Sequence, residues 1–475
     1  MRLLSEGGDE RIVIDPSTGL NRYLCAPRPS NVLAFASTTA NDLSAGALVH
    51  LQNLPLVPAS PTDYAARLEL LRWRIRSAYR LDGTTAVVFS PSGTDLEYVA
   101  LACTPAGDRP VTNILLGADE VGSGCIHSAN GQHFARRTPL GIVTEPGVPV
   151  PGLAEIDVVS IAVRDEDGRP RSSADIADAI DEATSRAQAH DRHVLAHVVH
   201  GSKTGLVVPS LDDLDRLGAR WGEAVTWVVD ACQARISPAA VQAYLARGSI
   251  VLLTGSKFVG APPFCGFALV PQTLVAAAEP LKRGLGKIFR QAEWPAGWPG
   301  AELMSSGSNP GLLLRLEAAL FEIERYRALD EGSVRSVIGA FGQAVQRLAD
   351  RLGAALIADH APRCANREPE LDTMVALDLA NLVEGSDFDD ASCWHRALVR
   401  RGIRLGQPVR CARLPDGRWG PTLRVALSMP MIVERAGDCG SAADRFAQEL
   451  GRVGTVLAEC AGSPGSKSVA ASVAA

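Results

Sequence analysis

Lys257 lies in Leu252-Leu253-Thr254-Gly255-Ser256-Lys257-Phe258, directly after an apolar run and shortly downstream of Val228-Val229-Asp230-Ala231-Cys232-Gln233. The chain has only five lysines among its 47 Lys and Arg residues. A lysine placed where a strand should empty into a cleft therefore asks for chemistry that arginine lacks. A primary amine condenses with an aldehyde to a Schiff base, and a guanidinium does not. Asp230 ends the preceding apolar run. There it would be partly desolvated, and a protonated ring nitrogen is the kind of partner that keeps such a carboxylate ionised.

Open parallel sheets bind ligands at the carboxyl ends of their strands, and two further constellations occupy such ends. Ser90-Pro91-Ser92-Gly93-Thr94-Asp95-Leu96-Glu97 follows the run Ala86-Val87-Val88-Phe89. Thr94 and Glu97 have capping-box spacing, and the N–H groups of Ser92, Gly93 and Thr94 at a helix start suit a phosphate dianion; an ordinary helix cap reads the same way. His200-Gly201-Ser202-Lys203-Thr204-Gly205 lines the mouth of another strand. Lys203 is the rival amine, in a more polar, glycine-rich setting. With Thr254 and Ser256 as further phosphate ligands, the set points to covalently held pyridoxal phosphate (PLP). Lys257 would be the anchor and later the base at the substrate Cα, and Asp230 would hold the pyridinium N–H. Gln233 would reach the phenolic oxygen or the phosphate.

The elements that must position these residues alternate. A helical face (Leu68, Leu71, Ile75, Tyr79) feeds Ala86–Phe89. Strand-like runs at 113–116, 158–161, 193–199, 226–229 and 249–253 are separated by helical segments near 173–189, 211–221 and 238–247. Runs apolar on both faces suit a mostly parallel sheet covered by helices, so the fold class is α/β. Residues 1–60 read as an amino-terminal arm with short helices, and 61–310 as the large domain. Residues 311–460 read as connecting helices, long over 311–357, and a smaller α+β domain, and 461–475 as a disordered tail. Gln291 to Pro310, rich in Gly, Pro, Trp and Ser, suits a mobile active-site loop or a subunit contact.

A charge of −6 with both signs dispersed offers no basic stripe for nucleic acid and no polybasic run for a membrane surface, and 46% apolar with 21% charged residues is a globular composition. A small amino acid substrate fits better. Met1 to Gly8 has no basic segment leading into an apolar stretch, and no run reaches bilayer length, so a cytoplasmic protein is expected. The ten cysteines, scattered from Cys25 to Cys460, form no Cys-x-x-Cys pair or zinc-spaced cluster. Neither disulfides nor a metal site are expected.

Ser92-Gly93-Thr94, His200 to Gly205, Asp230-Ala231-Cys232-Gln233 and Gly255-Ser256-Lys257-Phe258 together resemble the fold-type I PLP enzymes. The closest likeness is to the aminotransferase class V branch, which includes cysteine desulfurases; it runs in register over about residues 60 to 430. It implies a large domain with a seven-stranded-type sheet, a smaller carboxyl-terminal α+β domain, and a homodimer or dimer-based oligomer to which Ser305 to Pro310 would contribute. It also implies a ring stacked on the pyridine from the segment Gly122 to Phe134, where His127 is preferred over His133, and a small-domain arginine, Arg424, gripping the substrate carboxylate. Tyr23 and His200 would line the substrate entrance. The chain departs from the family where Ser202-Lys203 replace a common Asn-Pro pair, and the desulfurase nucleophile loop is not recognisable around Cys364 or Cys393. The implied activity is amino-group transfer. The alternatives are a PLP-dependent lyase, a β/γ-replacement or carbon–carbon bond-forming enzyme of specialised biosynthesis, or a non-catalytic binding protein.

Overall fold

The computed structural model describes residues 2–38, 41–55, 57–118, 120, 125–357 and 368–462. The amino-terminal segment has single 3-10 turns at Arg2–Ser5 and Glu10–Ile12, a short strand β1 (Leu33–Phe35) and helix α1 (Ala45–Gln52). Helix α2 (Pro61–Ala78) starts at the Ser60 cap, whose side chain accepts from Asp63 N. The chain then enters the large sheet through β2 (Ala86–Ser90), α3 (Leu96–Ala102), β3 (Val111–Leu116), α4 (Cys125–Ala129) and β4 (Ile156–Ile161). Helix α5 (Ser173–Gln188) leads to β5 (His193–His200) and the two-residue β6 (Val207–Val208); α6 (Leu211–Trp221) leads to β7 (Val225–Asp230). Helix α7 (Pro238–Ala246) leads to β8 (Ile250–Thr254), which is followed by β9 (Gly266–Val270) and the short α8 (Gln272–Ala276). Each of α5, α6 and α7 begins at a serine, Ser172, Ser210 or Ser237, that accepts from a first-turn N–H, so side chains satisfy backbone donors the helix itself cannot.

The strand order is β2-β9-β8-β7-β5-β3-β4, with β6 paired antiparallel to β5. Strands β4, β3, β5, β7 and β8 are mutually parallel, and β9 runs antiparallel to both neighbours. Every strand of the path except β9 therefore ends at the same edge of the sheet. Burial on both faces explains the uninterrupted apolar runs. Along β5, Val194, Ala196 and Val198 enter one core and Leu195 the other; β7 and β8 split the same way, with Val228, Ile250 and Leu252 joining Leu195. The second core is closed by α3 and by Phe289, Trp294 and Trp298.

Helices α9 (Pro310–Arg327) and α10 (Glu331–Leu352) lead to a three-stranded antiparallel sheet of β10 (Ala355–Ile357), β11 (Met374–Asp378) and β13 (Thr422–Ala426). Between its strands lie α11 (Phe388–Arg400) and β12 (Ile403–Leu405), which pairs parallel with β1; α12 (Met429–Ala436) and α13 (Cys439–Gly462) end the described chain. Phe35, Phe341 and Phe446 meet in one aromatic cluster that joins β1, α10 and α13.

Three expectations need correction. The helical stretch expected to reach 357 ends at Leu352, because Gly353 caps α10 at φ 62° and 355–357 pair with β11. The segment expected as a tail from 461 starts inside α13, which runs to Gly462, and its remainder, 463–475, lies outside the described residues. The segment 291–310, expected as a loop, holds three-residue turns at Gln291–Glu293 and Ala301–Leu303 and buries Trp294 and Trp298. The eight cysteines whose side chains are described are free, and all of these but Cys393 are buried. Among the described residues no helix is long and apolar enough to cross a membrane, and no cluster of His, Cys, Asp and Glu could hold a metal ion.

One buried group at the start of β5 makes the fold sensitive to acid. Arg109 Nη2 lies 3.0 Å from His193 Nδ1, and Nε2 lies 2.9 Å from Thr226 Oγ1. A guanidinium only donates, so Nδ1 accepts and the ring is neutral. Burial, reinforced by Arg109, pushes the His193 pKa down to about 4. The unfolded chain takes up the proton near its ordinary value of about 6.5. This contribution is therefore complete above that value and is lost as pH falls towards the folded pKa. His193→Gln should remove about 2 kcal/mol of the stability difference between neutral pH and about pH 4.5, read from urea unfolding at both. An unchanged pH dependence would refute the assignment.

Candidate active site

A cavity of about 270 Å³ opens at the shared carboxyl edge of the sheet. It is lined by the turn after β2 (Ser92, Gly93, Thr94), the loops after β7 (Cys232, Gln233) and β8 (Ser256, Lys257), and the segment after β5 (Gly201, Ser202, Lys203). Arg424 of β13 and Arg11 and Tyr23 of the amino-terminal segment complete it. Most residues singled out by their spacing thus meet in one place.

The Lys257 loop is held from the far side. Ser37 Oγ donates to Lys257 O at 2.6 Å, and Asn41 Nδ2 donates to the carbonyls of Ser256 and Lys257 at 2.7 and 2.8 Å. Gly255 fits because a Cβ there would approach Ala319 Cβ at 2.6 Å and Cys265 Sγ at 2.7 Å. Thr254 Oγ1 donates to Cys232 O at 2.7 Å and accepts from Ser256 Oγ at 3.3 Å, which locks the β7 and β8 loops together.

Asp230 Oδ1 accepts from Cys232 N at 2.9 Å, and the carboxylate lines the cavity. Behind it, His197 Nε2 lies 3.3 Å from Glu97 Oε2, both fully enclosed. Burial, then Asp230, holds Glu97 well above the usual carboxylate range. Burial pushes His197 down to about 4 against the pull of Asp230. Both are therefore neutral in the fold. Gln233 Oε1 accepts from Arg235 Nη1 at 3.0 Å, and since Arg235 only donates, Gln233 turns its amide N–H₂ towards the cavity.

The turn after β2 differs from expectation. No Thr94–Glu97 capping box forms: α3 begins at Leu96 without a side-chain cap, because Glu97 turns in to His197. Ser92 Oγ instead donates to Asp95 Oδ2 at 2.5 Å and accepts from Asp95 N at 3.2 Å. Burial raises Asp95 to about 7, against the Ser92 hydrogen bond. Gly93 leaves room that a side chain would take, since a Cβ would sit 2.9 Å from Thr254 Cγ2.

Two expected residues stay out of the cavity. His127 is exposed on α4, its Nδ1 3.1 Å from Gln132 Oε1; His133, the other ring candidate, is likewise not among the lining residues. Helix α4 offers Cys125 to the cavity instead, while Gly122, Ser123 and Gly124 lie outside the described residues. The aromatic rings lining it among the described residues are Tyr23 and Phe264. His200 is turned away by the strand pleat. His197 and Val199 share the face of Asp230, whereas His200 packs edge-on against Tyr244 with Nδ1 3.2 Å from its hydroxyl. Cys364 falls outside the described residues, and Cys393 sits on α11, away from the lining.

Three lining or supporting residues went unseen. Glu120, after β3, accepts from Ser202 Oγ at 2.5 Å and Thr204 Oγ1 at 2.8 Å and pairs with Arg164, after β4. Together they shape the Ser202–Thr204 turn. Burial, then Arg424 and Lys257, lowers Lys203 to about 8. Arg11 is the third. The sequence signal for Glu120 and Arg164 was available: each is a charged residue just past the end of an apolar strand.

Arg424 donates Nε to Gln407 O at 3.0 Å and Nη1 to Lys203 O at 3.3 Å. Among the described residues Nη2 has no acceptor. The assembled donors fit PLP: hydroxyls and the open Gly93 turn on one side for a phosphate, a carboxylate at the sheet edge for a ring nitrogen, and Lys257 for the aldehyde.

No protein-family model matches the chain, and no curated protein sequence matches it. Solved structures do. Pyridoxamine–pyruvate aminotransferase from Mesorhizobium loti matches at TM-score 0.52 with 15% identity, over 90% of this chain and 96% of that one. A cysteine desulfurase from Escherichia coli matches at 0.52 with 18% identity, over 88% and 95%. A C-DES lysine mutant with glycine covalently linked to its PLP cofactor matches at 0.55 with 15% identity, over 90% and 97%. The chain has the fold shared by class V aminotransferases and cysteine desulfurases, that of the type I PLP-dependent enzymes.

Proposed function

We propose that this protein is a PLP-dependent enzyme that transfers the amino group of an amino acid. The observation that carries this reading is the convergence of Lys257, Asp230 and Arg424 on one cavity from three separate elements. When bound, PLP supplies the electron sink that makes a bond at the substrate Cα breakable. Lys257 would hold the cofactor aldehyde, and its amine, when free, would carry a proton to and from the substrate Cα. Asp230 accepts the ring N–H, with the neutral Glu97–His197 pair packed behind it. Gln233 donates its amide N–H to the ring oxygen or the phosphate. Arg424 grips the substrate carboxylate through its open edge and so fixes which Cα bond lies across the ring. Burial of the cavity walls strengthens each of these contacts by excluding water.

Borohydride reduction of the PLP-loaded protein followed by peptide mapping should place the pyridoxyl group on Lys257; an adduct on Lys203 would overturn the anchor. A true amino donor supplied alone should bleach the visible band of the Lys257 adduct and release one equivalent of keto acid. Continued turnover without an acceptor, or loss of a β- or γ-substituent, would move the protein to the lyase and replacement class. Arg424→Ala should weaken donor affinity about tenfold to a hundredfold.

We further propose that two copies associate. Leu70 and Trp73 of α2 and Leu303 are 53–63% exposed, and α2 and the segment 291–306 border a groove of about 710 Å³. Light scattering should give a dimer of the 50.1 kDa chain; a fully active monomer at every concentration would refute this.

A further inference from the structure

Strand β2, the turn after it and α3 carry no lysine or arginine of their own beside the Ser92 and Thr94 hydroxyls. Helix α3 has only seven residues and no cap hydrogen bond, and the Ser92 hydroxyl is already donated to Asp95. The positive charge arrives from the other end of the chain. Arg11 lines the cavity and donates Nη1 to Thr94 Oγ1 at 3.2 Å, with Nη2 3.5 Å from Ser92 Oγ. Its guanidinium is held between the rings of Phe134 and Phe264, each centroid 4.9 Å away. Asp9, 3% exposed, accepts from Nε and Nη2 at 2.9 and 2.7 Å. A planar cation packed against two rings and paired along one edge has its remaining edge directed at the two cradle hydroxyls.

The segment that carries Arg11 is anchored independently. The buried Arg315 of α9 donates to the carbonyls of Leu4, Glu6 and Gly7, and its Nε donates at 2.7 Å to Phe264 O. Asn309 Nδ2 also donates to Gly7 O at 2.9 Å. At Gly311 any Cβ would strike the carbonyl oxygens of Leu3 and Glu6. The segment is therefore seated on α9 in close backbone contact, and Phe264 links the anchor to the clamp.

We infer that Arg11 is the counter-cation of the cofactor phosphate and that the amino-terminal segment is a clasp closing on it. This inference rests on the PLP reading of the site, and the ligand group it adds is the phosphate alone. Phosphate binding and docking of residues 3–11 are then linked: each favours the other by the same factor.

The test compares PLP with pyridoxal, which has the aldehyde and ring but no phosphate. Dissociation constants come from the visible absorption of the Lys257 adduct in wild type, Arg11→Gln and Arg11→Lys. In Arg11→Gln, PLP affinity should fall about tenfold to a hundredfold while pyridoxal affinity stays within about twofold, and Arg11→Lys should recover part of the loss. Inorganic phosphate should compete with PLP in wild type and lose that effect in Arg11→Gln. Amide exchange over residues 3–13 should slow on adding PLP and not on adding pyridoxal. Retained pyridoxal binding shows that the variant is folded. Equal losses for both aldehydes, or no loss for either, would overturn the clasp and leave the cofactor reading intact. Absence of a Lys257 adduct with either aldehyde in wild type would overturn both.

Discussion

The buried guanidinium of Arg235 joins three stretches of chain that are remote in sequence. It donates to Thr373 Oγ1 at 2.9 Å, to Gln233 Oε1 at 3.0 Å, to Ser37 O at 3.0 Å and to Leu427 O at 3.3 Å. Those acceptors belong to the loop after β7, the segment after β1, and the two ends of the β11 and β13 region. No carboxylate pairs with it among the described residues, and burial together with Arg424 pulls its pKa down to about 9. A buried charge tolerates that only when its donors are nearly all satisfied. The arrangement is thus stable in essentially one geometry. Ser37, whose backbone takes one of these bonds, uses its hydroxyl to hold Lys257 O, and Leu427 directly follows the strand that carries Arg424. Moving Arg235 would disturb the Lys257 loop, the amide of Gln233 and the strand that carries Arg424 together.

Strand direction supplies the second constraint. Because β2, β3, β5, β7 and β8 end at one edge, their following loops have no choice but to share a cavity, and the hydroxyls, Asp230 and Lys257 are brought within reach of one ligand. The pleat then decides which side chains enter it. His197 faces the Asp230 side and His200 the opposite core, although both sit on the same strand three residues apart. The same face rule accounts for Glu97, which meets the buried His197 ring across the sheet face instead of capping the start of α3.

These two constraints also mark how far the amino-acid sequence could be read. Apolar runs followed by Ser92-Gly93-Thr94, Asp230 and Lys257 were legible, because strand ends and turn residues are local features. So were α5, α6 and α7, whose serine caps lie at their starts. The face occupied by His200 was not, since it depends on the pairing of Val199 with Asp230. Arg11 was not legible either: it sits in a single 3-10 turn of a segment whose place is set by Arg315 and Gly311, some 300 positions away. Helix α13 was legible and went unread; Phe446, Leu450, Val453 and Leu457 repeat at helical spacing and are buried. Strand β9, five residues long like β2 and β8, lies behind Pro262-Pro263, and its pairing between those two strands identifies it.

The charges in the cavity carry the argument one step further. Lys203, Lys257 and Arg424 line the same small volume, and burial, Arg424 and Lys257 together lower Lys203 to about 8. Among the described residues Arg424 donates to the backbone carbonyls of Gln407 and Lys203, while Glu120, which also pairs with Arg164, partly offsets the repulsion on Lys203. Like charges held this close in a partly dry site repel, and the fold sustains that cost through the Glu120, Arg235 and Asn41 hydrogen bonds around it. A ligand bearing a phosphate and a carboxylate relieves the repulsion, so binding energy and fold stability are coupled by the same electrostatics. The cavity thus sets the cations Lys203, Lys257 and Arg424 beside the carboxylate of Asp230 in one small volume, an arrangement that suits an anionic occupant carrying a cationic ring.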